Sequence, residues 1–181
     1  MCTPFAVSLA ALSLGLTLAA PQTGQPMPKQ MPMAKPAAES AFIKQAAEGG
    51  MAEVELAEVA ETHAANADVK ALATKIKTDH EQANAELKTL AMSKGVTLPT
   101  EPTPAQKATR DRLSKLQGAA FDRAYVADMV TDHRKDVAAF TTKTKSTDPD
   151  VKAFAEKTLP TLKDHLQRAE ALQKVTTGKV R

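Results

Sequence analysis

Three histidines of this sequence lie in a repeated short motif. Thr78-Asp79-His80 recurs as Thr131-Asp132-His133, and Asp164-His165 repeats the last two residues. Each copy lies near the middle of a long segment whose apolar residues recur with the period of an α-helix, and each histidine falls on the apolar stripe of its segment. An earlier helical segment has no histidine there but places Glu53 on its apolar face. Imidazole nitrogens and carboxylate oxygens bind transition metals, so these residues predict metal binding.

Four such groups, one from each long helix, can meet at a single level of a bundle. Glu53 and His80 lie at nearly equal distances along the chain from a turn near residue 66. His133 and His165 lie at similar distances from a turn near residue 148, and their remaining offset corresponds to about 4 Å. The sequence therefore predicts a Glu/His layer (Glu53, His80, His133 and His165) that binds one Zn, Cu, Mn or Fe ion. Binding should weaken as the pH falls through about 6.5, where unperturbed imidazoles titrate.

The same four residues allow a second interpretation in which no metal binds. Buried histidines and a glutamate can satisfy one another by hydrogen bonds and fix the register of the helices. The protein would then be a non-catalytic structural or interaction module of the cell envelope, with a partner that the sequence does not identify. Both hypotheses predict that the residues of the Glu/His layer are the least exposed titratable groups of the domain.

The aspartates next to the histidines are predicted to have other roles. Asp79, Asp132 and Asp164 point about 100° away from the apolar stripes, which favours surface positions or pairing between helices over metal ligation. Asp136 lies one turn beyond Asp132 and nearer the stripe, so it could accept a hydrogen bond from a ligand.

Four long helices and one short helix are predicted to position these groups. The long helices cover roughly residues 41–64, 68–92, 119–143 and 149–174, with Ser40, Asn66 or Asp68, and Asp148 as N-caps where a cap can be recognised. The pair Gly49-Gly50 weakens the first helix, and close approach of a neighbouring helix would explain it.

The connection between the second and third long helices is much longer than the other two. Within it, Thr103-Pro104-Ala105-Gln106 has the pattern of an N-cap, a proline at the first helical position and a capping-box glutamine. A short helix to about Leu116 is therefore predicted. Short turns make two antiparallel hairpins, and one long crossover between hairpins defines a ferritin-like four-helix bundle. We predict this all-α fold, with the second and third long helices parallel.

Composition excludes several classes of function. The chain has 24 basic and 21 acidic residues, and they are interspersed without a basic run, so nothing indicates a nucleic-acid partner. Cys2 is the only cysteine, which rules out an intramolecular disulfide. No nucleophile motif, Gly-rich loop or cofactor fingerprint accompanies the histidines, so we do not expect an enzyme.

The N-terminal region predicts export. Residues 5–20 carry no charge and have the length of the apolar region of a secretory signal, so residues 1–20 are predicted to be a signal peptide and the mature protein to be periplasmic or secreted. Residues 21–39 form a predicted Pro/Met-rich disordered linker, residues 40–175 the bundle, and residues 176–181 a disordered tail. Met27, Met31 and Met33 offer thioethers of the kind that bind Cu(I), but methionines in such a segment are more typical of a linker.

The segment from Phe42 to Leu172 resembles the bacterial ferritin-like family known as domain of unknown function 4142. The matching motifs are Ala47-Glu48-Gly49-Gly50-Met51-Ala52-Glu53-Val54-Glu55-Leu56, Asp79-His80, Ala83-Asn84, Phe121-Asp122-Arg123-Ala124-Tyr125-Val126, Asp132-His133, Thr158-Leu159-Pro160-Thr161-Leu162 and His165-Leu166. The resemblance implies a secreted or periplasmic helical bundle without an established activity. Lys77, Val130 and Leu162 stand three residues before the histidines, so the Glu-x-x-His pattern of di-iron bundles is missing and we do not expect a di-iron carboxylate site.

Overall fold

A computed structural model describes residues 35–178 of the chain. This range contains five α-helices and no strand: α1 Lys35–His63, α2 Ala67–Ser93, α3 Pro104–Leu113, α4 Gly118–Lys143 and α5 Pro149–Thr176. The all-α prediction is confirmed. The predicted signal peptide, residues 21–34 of the predicted linker and residues 179–181 of the predicted tail lie outside the described residues.

Local capping interactions set the start of three helices where the sequence predicts them. The Asn66 carboxamide oxygen accepts hydrogen bonds from the backbone N–H of Asp68 and Val69 at the start of α2, and the Asp148 carboxylate does the same at the start of α5. Thr103 and Gln106 form the complete capping box of α3. Each cap satisfies backbone donors that the helix itself leaves without partners.

The start of α1 differs from the prediction. The helix begins at Lys35, so Ser40 lies inside it and residues 35–39 are not part of the linker. Contacts with the end of α4 explain the longer helix, because the Glu39 carboxylate accepts hydrogen bonds from Lys143 Nζ and Ser146 Oγ, both at 2.8 Å. These contacts join residues about a hundred positions apart and leave no local signal.

Side-chain contacts fix the directions within the two helix pairs. On α1 and α2, Glu58 pairs with Lys77, and the layer residue Glu53 approaches His80, so residue numbers rise along one helix as they fall along the other. On α4 and α5, the ring centroids of Phe140 and Phe154 lie 5.9 Å apart, while those of His133 and His165 lie 5.2 Å apart. Both pairs are therefore antiparallel.

The ends of the helices show how the pairs are joined. Asp122 in the first turns of α4 accepts hydrogen bonds from the backbone N–H of Ala65 at 3.1 Å and Asn66 at 3.0 Å, just before α2 begins. At the opposite end, Lys94 after α2 pairs with Asp148 after α4 at 2.7 Å. Helices α2 and α4 therefore run in the same direction, as the long crossover with α3 predicts.

The core consists of two apolar clusters with the Glu/His layer between them. One cluster lies toward the α1–α2 turn and includes Leu56, Ile76, Val130 and Ala169. The other lies toward the α4–α5 turn and includes Ala47, Leu87, Phe140 and Leu162. On each long helix the layer residue stands between members of the two clusters, which places the polar groups near mid-bundle. Within residues 35–178, no helix is both long enough and apolar enough to cross a membrane.

Close approach of α2 accounts for Gly50 but not for Gly49 in the Gly-Gly pair of α1. A Cβ atom on Gly50 would collide with the carboxamide oxygen of Asn84 and lie 2.9 Å from its Cγ, whereas a Cβ on Gly49 would meet nothing within 4 Å. We therefore expect Gly50→Ala to be less favourable than Gly49→Ala by about 0.5–1.5 kcal/mol, because the Asn84 carboxamide has to rotate away from the new methyl group.

The matched control for this prediction is Gly49→Ala. It should stabilise the protein by about 0.5–1 kcal/mol, since alanine is the better helix former and no neighbour is displaced. Urea denaturation of both variants measures the difference. Equal effects of the two substitutions would show that α2 does not constrain Gly50.

Candidate metal centre

The structure brings all four residues of the Glu/His layer together at mid-bundle. Glu53 comes from α1, His80 from α2, His133 from α4 and His165 from α5. His80 is 7% exposed and the other three residues are 0% exposed. The ligating ring nitrogens of the three histidines lie within 4.8 Å of one another.

A chain of close contacts crosses the bundle through this layer. Glu53 Oε2 lies 3.0 Å from His80 Nε2, and Glu53 Oε1 lies 3.2 Å from His133 Nδ1. The other ring nitrogen of His133, Nε2, lies 3.2 Å from His165 Nδ1. His165 Nε2 then contacts Asp79 Oδ2 at 2.8 Å, near the surface.

The Glu53 carboxylate lacks hydrogen bonds despite these short distances. Both of its oxygens, and Nε2 of His80, are buried without a correctly oriented hydrogen-bond partner. The carboxylate oxygens of Glu53 therefore lie close to the ring nitrogens of His80 and His133, but the angles at these contacts are not those of hydrogen bonds. A buried carboxylate without donors is energetically unfavourable, and a bound cation would compensate it.

Burial shifts the titration of the layer toward neutral forms. Removal from water raises the pKa of Glu53 to about 7, although the neighbouring His133 opposes the shift. The same cause lowers the pKa of His80 and His133, and it lowers the pKa of His165 to about 4. At neutral pH the three imidazoles are therefore uncharged, which is the state in which they bind metals.

A small cavity adjoins one side of the layer. A cavity of about 20 Å³ lies beside Glu53 and His80 and is also lined by Asn84, Asp136 and Thr158. That volume is enough for about one water molecule. A tetrahedral ion with bonds of about 2.1 Å holds its ligands roughly 3.4 Å apart, so the ring nitrogens would have to move together by about an ångström. The three imidazoles suit a single ion. Glu53 contacts His80 and reaches His133 through Nδ1, whereas Nε2 of His133 faces His165.

Asp79 has the interhelical pairing role that the sequence suggested. Its carboxylate accepts hydrogen bonds from His165 Nε2 and from Lys75 Nζ, the latter at 2.9 Å. Although burial raises the pKa of Asp79, these two hydrogen bonds outweigh it and keep the pKa below its usual value. The carboxylate therefore orients His165 with its other nitrogen toward His133, a common arrangement for metal-binding histidines.

Asp132 and Asp136 lie beside the layer on α4. Oxygens of Glu53, Asp132 and Asp136 lie within 4.8 Å of one another. Asp132 keeps the partly exposed position that its angle predicts, since its side chain is 31% exposed and its Oδ1 lies 3.8 Å from Lys135 Nζ. Burial, followed by the charge of Glu53, raises the pKa of Asp136 to about 8. The signal available in the sequence was the i, i+4 spacing of two aspartates that flank His133 on one helix.

Two other buried polar residues were missed. Asp122 is 4% exposed, less than His80, so the prediction that the layer contains the least exposed titratable groups is wrong for His80. Asp122 binds the α1–α2 turn and takes no part in the layer. Tyr125 on α4 is fully buried with its hydroxyl lacking a partner, and burial together with the charge of Glu53 raises its pKa.

The fold and the layer define a ferritin-like helical bundle with a candidate metal centre in its core. The family model described as "Domain of unknown function (DUF4142)" matches residues 22–172, so the chain belongs to this family. The resemblance found in the motifs is thereby confirmed. No curated protein matches the sequence.

Solved structures of two other proteins have the same fold. A DUF305 fragment from Deinococcus radiodurans superposes with a TM-score of 0.67 at 17% identity, covering 78% of this chain and 96% of that one. CopM in its Cu(I)-bound form superposes with a TM-score of 0.62 at 20% identity, covering 74% of this chain and 93% of CopM. CopM in its Cu(II)-bound form superposes with a TM-score of 0.64 at 20% identity, covering 75% of this chain and 95% of CopM. At these identities the similarity establishes the fold.

Proposed function

We propose that this protein binds a single transition metal ion through Glu53, His80, His133 and His165. The observation that carries the proposal is the Glu53 carboxylate, which is fully buried, has no hydrogen bond, and lies 3.0–3.2 Å from two ring nitrogens. Four protein ligands fill a tetrahedral site, an arrangement typical of sites that retain an ion rather than perform catalysis on it. The proposed role is therefore metal binding.

Copper is the first metal to test. Bundles of this fold have been solved with Cu(I), Cu(II) and Ag in CopM. Three imidazoles and a carboxylate suit Cu(II) and Zn(II) better than the softer Cu(I) and Ag(I), which prefer sulfur ligands. In the general order of divalent metals Cu(II) binds a given nitrogen and oxygen site more tightly than Zn(II), so Cu(II) should displace Zn(II) from the protein.

We also propose that the protein is exported and acts in the periplasm or outside the cell, in peripheral association with the envelope. The support is the uncharged segment 5–20, followed by small residues that suit cleavage. The mature chain is expected to begin between about residues 19 and 24. N-terminal sequencing of protein from the cell envelope measures this directly, and a mature protein that still begins at Met1 would contradict export.

The test of the metal centre is His133→Ala with His63→Ala as its matched control. His133 lies in the layer, whereas His63 lies at the end of α1, where its Nε2 contacts the Ser114 carbonyl. Elemental analysis and calorimetric titration with Cu(II) should give one ion per chain for the native protein and for His63→Ala. His133→Ala should bind none, because one of the four ligands is gone.

The structural interpretation of the layer predicts different results. The native protein would then bind no stoichiometric Cu(II), Zn(II), Mn(II) or Fe(II), and none of these ions would raise its melting temperature. Metal-dependent stabilisation in the native protein that is absent from His133→Ala would exclude that interpretation, since a ligand stabilises only the state that binds it. Circular dichroism of His133→Ala confirms that the variant remains folded.

A further inference from the structure

We propose that Glu53 is shared between two cation sites, and that Glu53, Asp132 and Asp136 bind a second, hard divalent cation beside the histidines. This carboxylate cluster joins α1 to α4, and one oxygen from each of its residues lies within 4.8 Å of the others. The inference rests on the metal centre proposed above, because Glu53 belongs to both. It adds a different ligand set and therefore a different class of ion.

The chemistry of the cluster selects a cation that prefers oxygen. Three carboxylates without nitrogen or sulfur ligands suit Mn(II) and similar hard ions, whereas the three imidazoles on the other side of Glu53 suit Cu(II) or Zn(II). Carboxylates that bridge two ions are common where metals lie about 3.5–4 Å apart. Glu53 is placed for this, since it contacts His80 and His133 on one side and also lies with an oxygen within 4.8 Å of oxygens of Asp132 and Asp136.

Acidic clusters occur without ions, but two further features of this cluster point to a bound cation. First, Glu53 is fully buried and neither of its oxygens has a hydrogen-bond partner. Second, His80 Nε2 is also buried without a partner, and His80, Glu53 and Asp136 line the same cavity of about 20 Å³. Polar atoms without partners therefore surround a space next to the cluster.

Protein cations do not neutralise the cluster. Among residues 35–178, the only cation within ion-pair distance of Asp132 or Asp136 is Lys135, whose Nζ lies 3.8 Å from Asp132 Oδ1 and whose side chain is 70% exposed. An exposed pair of this kind contributes little. Within the described residues, the three carboxylates thus share one exposed lysine as their only nearby lysine or arginine.

The open sides of the cluster give a bound ion access to water. Asp132 and Asp136 are half-buried, in contrast to Glu53. Mn(II) and related ions commonly keep water ligands in addition to a few carboxylates. The second site is therefore a half-open oxygen site on α4, next to a closed histidine site in the core.

The experiment compares two ions on three variants of the full chain. Asp136→Asn removes one ligand of the carboxylate cluster, His165→Gln removes one ligand of the Glu/His layer, and Asp128→Asn is the matched control on the same helix. Mn(II) binding is measured from the loss of the free-ion electron paramagnetic resonance signal, and Cu(II) binding by calorimetric titration. Circular dichroism checks that each variant is folded.

Each of the two site variants is expected to lose a different ion. Asp136→Asn should weaken Mn(II) binding at least about 100-fold and leave Cu(II) binding within about tenfold, because a lost ligand has a larger effect than a lost neighbour of a ligand. His165→Gln should lose Cu(II) and retain Mn(II), and Asp128→Asn should retain both ions. In the native protein loaded with both, magnetic coupling should broaden the Mn(II) signal.

The outcomes separate this inference from the proposed metal centre. If the native protein binds no Mn(II), if Asp136→Asn binds it as well as the native protein does, or if Cu(II) displaces Mn(II) instead of binding beside it, the second site is overturned. If His165→Gln retains Cu(II) while Asp136→Asn loses Mn(II), the histidine centre is wrong and the carboxylate site stands.

Discussion

Replacing Glu53 by glutamine is expected to stabilise the metal-free protein at pH 8 by about 3 kcal/mol and to leave its stability unchanged at pH 4. Burial raises the pKa of Glu53 from 4.5 to about 7 in the folded protein. A raised pKa means that the folded state favours the protonated acid. The native protein therefore keeps its full free energy of unfolding below the unfolded pKa of 4.5. It loses about 1.4 kcal/mol per unit of pKa shift as the pH rises through the folded pKa of about 7. Glutamine cannot ionise and avoids this loss.

Urea denaturation in the presence of a chelator, from pH 4 to pH 8, measures the effect. Glu81→Gln on the exposed face of α2 is the control, and it should change stability by less than about 0.5 kcal/mol at each pH. If Glu53→Gln is less stable than the native protein at pH 8, Glu53 holds the layer together as an ionised partner of the histidines. That outcome would favour the structural interpretation of the layer.

A bound metal should reverse the sign of this effect. With Cu(II) present at a large excess over its dissociation constant, the native protein gains the binding free energy, whereas Glu53→Gln has lost an anionic ligand and gains less. Glu53 would then destabilise the metal-free protein and stabilise the metal-bound protein. A buried carboxylate without hydrogen bonds is difficult to explain by stability alone, since replacing such groups with neutral ones of the same shape usually helps folding.

The helices could be predicted from the sequence because their signals are local. Asn66, Thr103 and Asp148 cap their helices through backbone atoms two or three residues away, and apolar periodicity marks the faces between. The positions of the four layer residues also followed from periodicity, since a residue on the apolar stripe at mid-helix must face the core. The lengths of the connections indicated the order and direction of the helices.

The parts that could not be predicted depend on contacts between distant segments. The first turn of α1 forms because Glu39 reaches Lys143 and Ser146, which the local sequence does not show. The angle of Asp132 on a helical wheel indicated a surface or pairing position, but a wheel ignores the reach of the side chain and so did not show that its carboxylate lies within 4.8 Å of Glu53 and Asp136. Whether Glu53 has a hydrogen bond depends on bond angles in the packed core, and residue spacing contains no information about them.

Cu(II) binding is expected to weaken as the pH falls below 7, approaching tenfold per pH unit, and to be roughly 50-fold weaker at pH 5 than at pH 7. The sequence alone predicts this loss near pH 6.5, where imidazoles usually titrate. In the folded protein, however, burial lowers the pKa of all three histidines, that of His165 to about 4, so their protonation moves to lower pH. Glu53, with a pKa of about 7, is the ligand that must release a proton before the ion can bind.

Titration with a competing chelator between pH 8 and pH 5 tests which group controls binding. For the native protein and for His63→Ala, the logarithm of the Cu(II) affinity should fall with pH at a slope of one proton per ion, beginning near pH 7. Glu53→Gln should bind Cu(II) more weakly than the native protein at pH 8 and should lack the loss that begins near pH 7, because it has no carboxylic acid at this position to titrate. A steeper loss that begins only below pH 6.5, with two or three protons taken up per ion released, would mean that the histidines titrate together at their ordinary pKa. The layer would then be open to water in solution, and the desolvation on which the pKa of Glu53 depends would be absent.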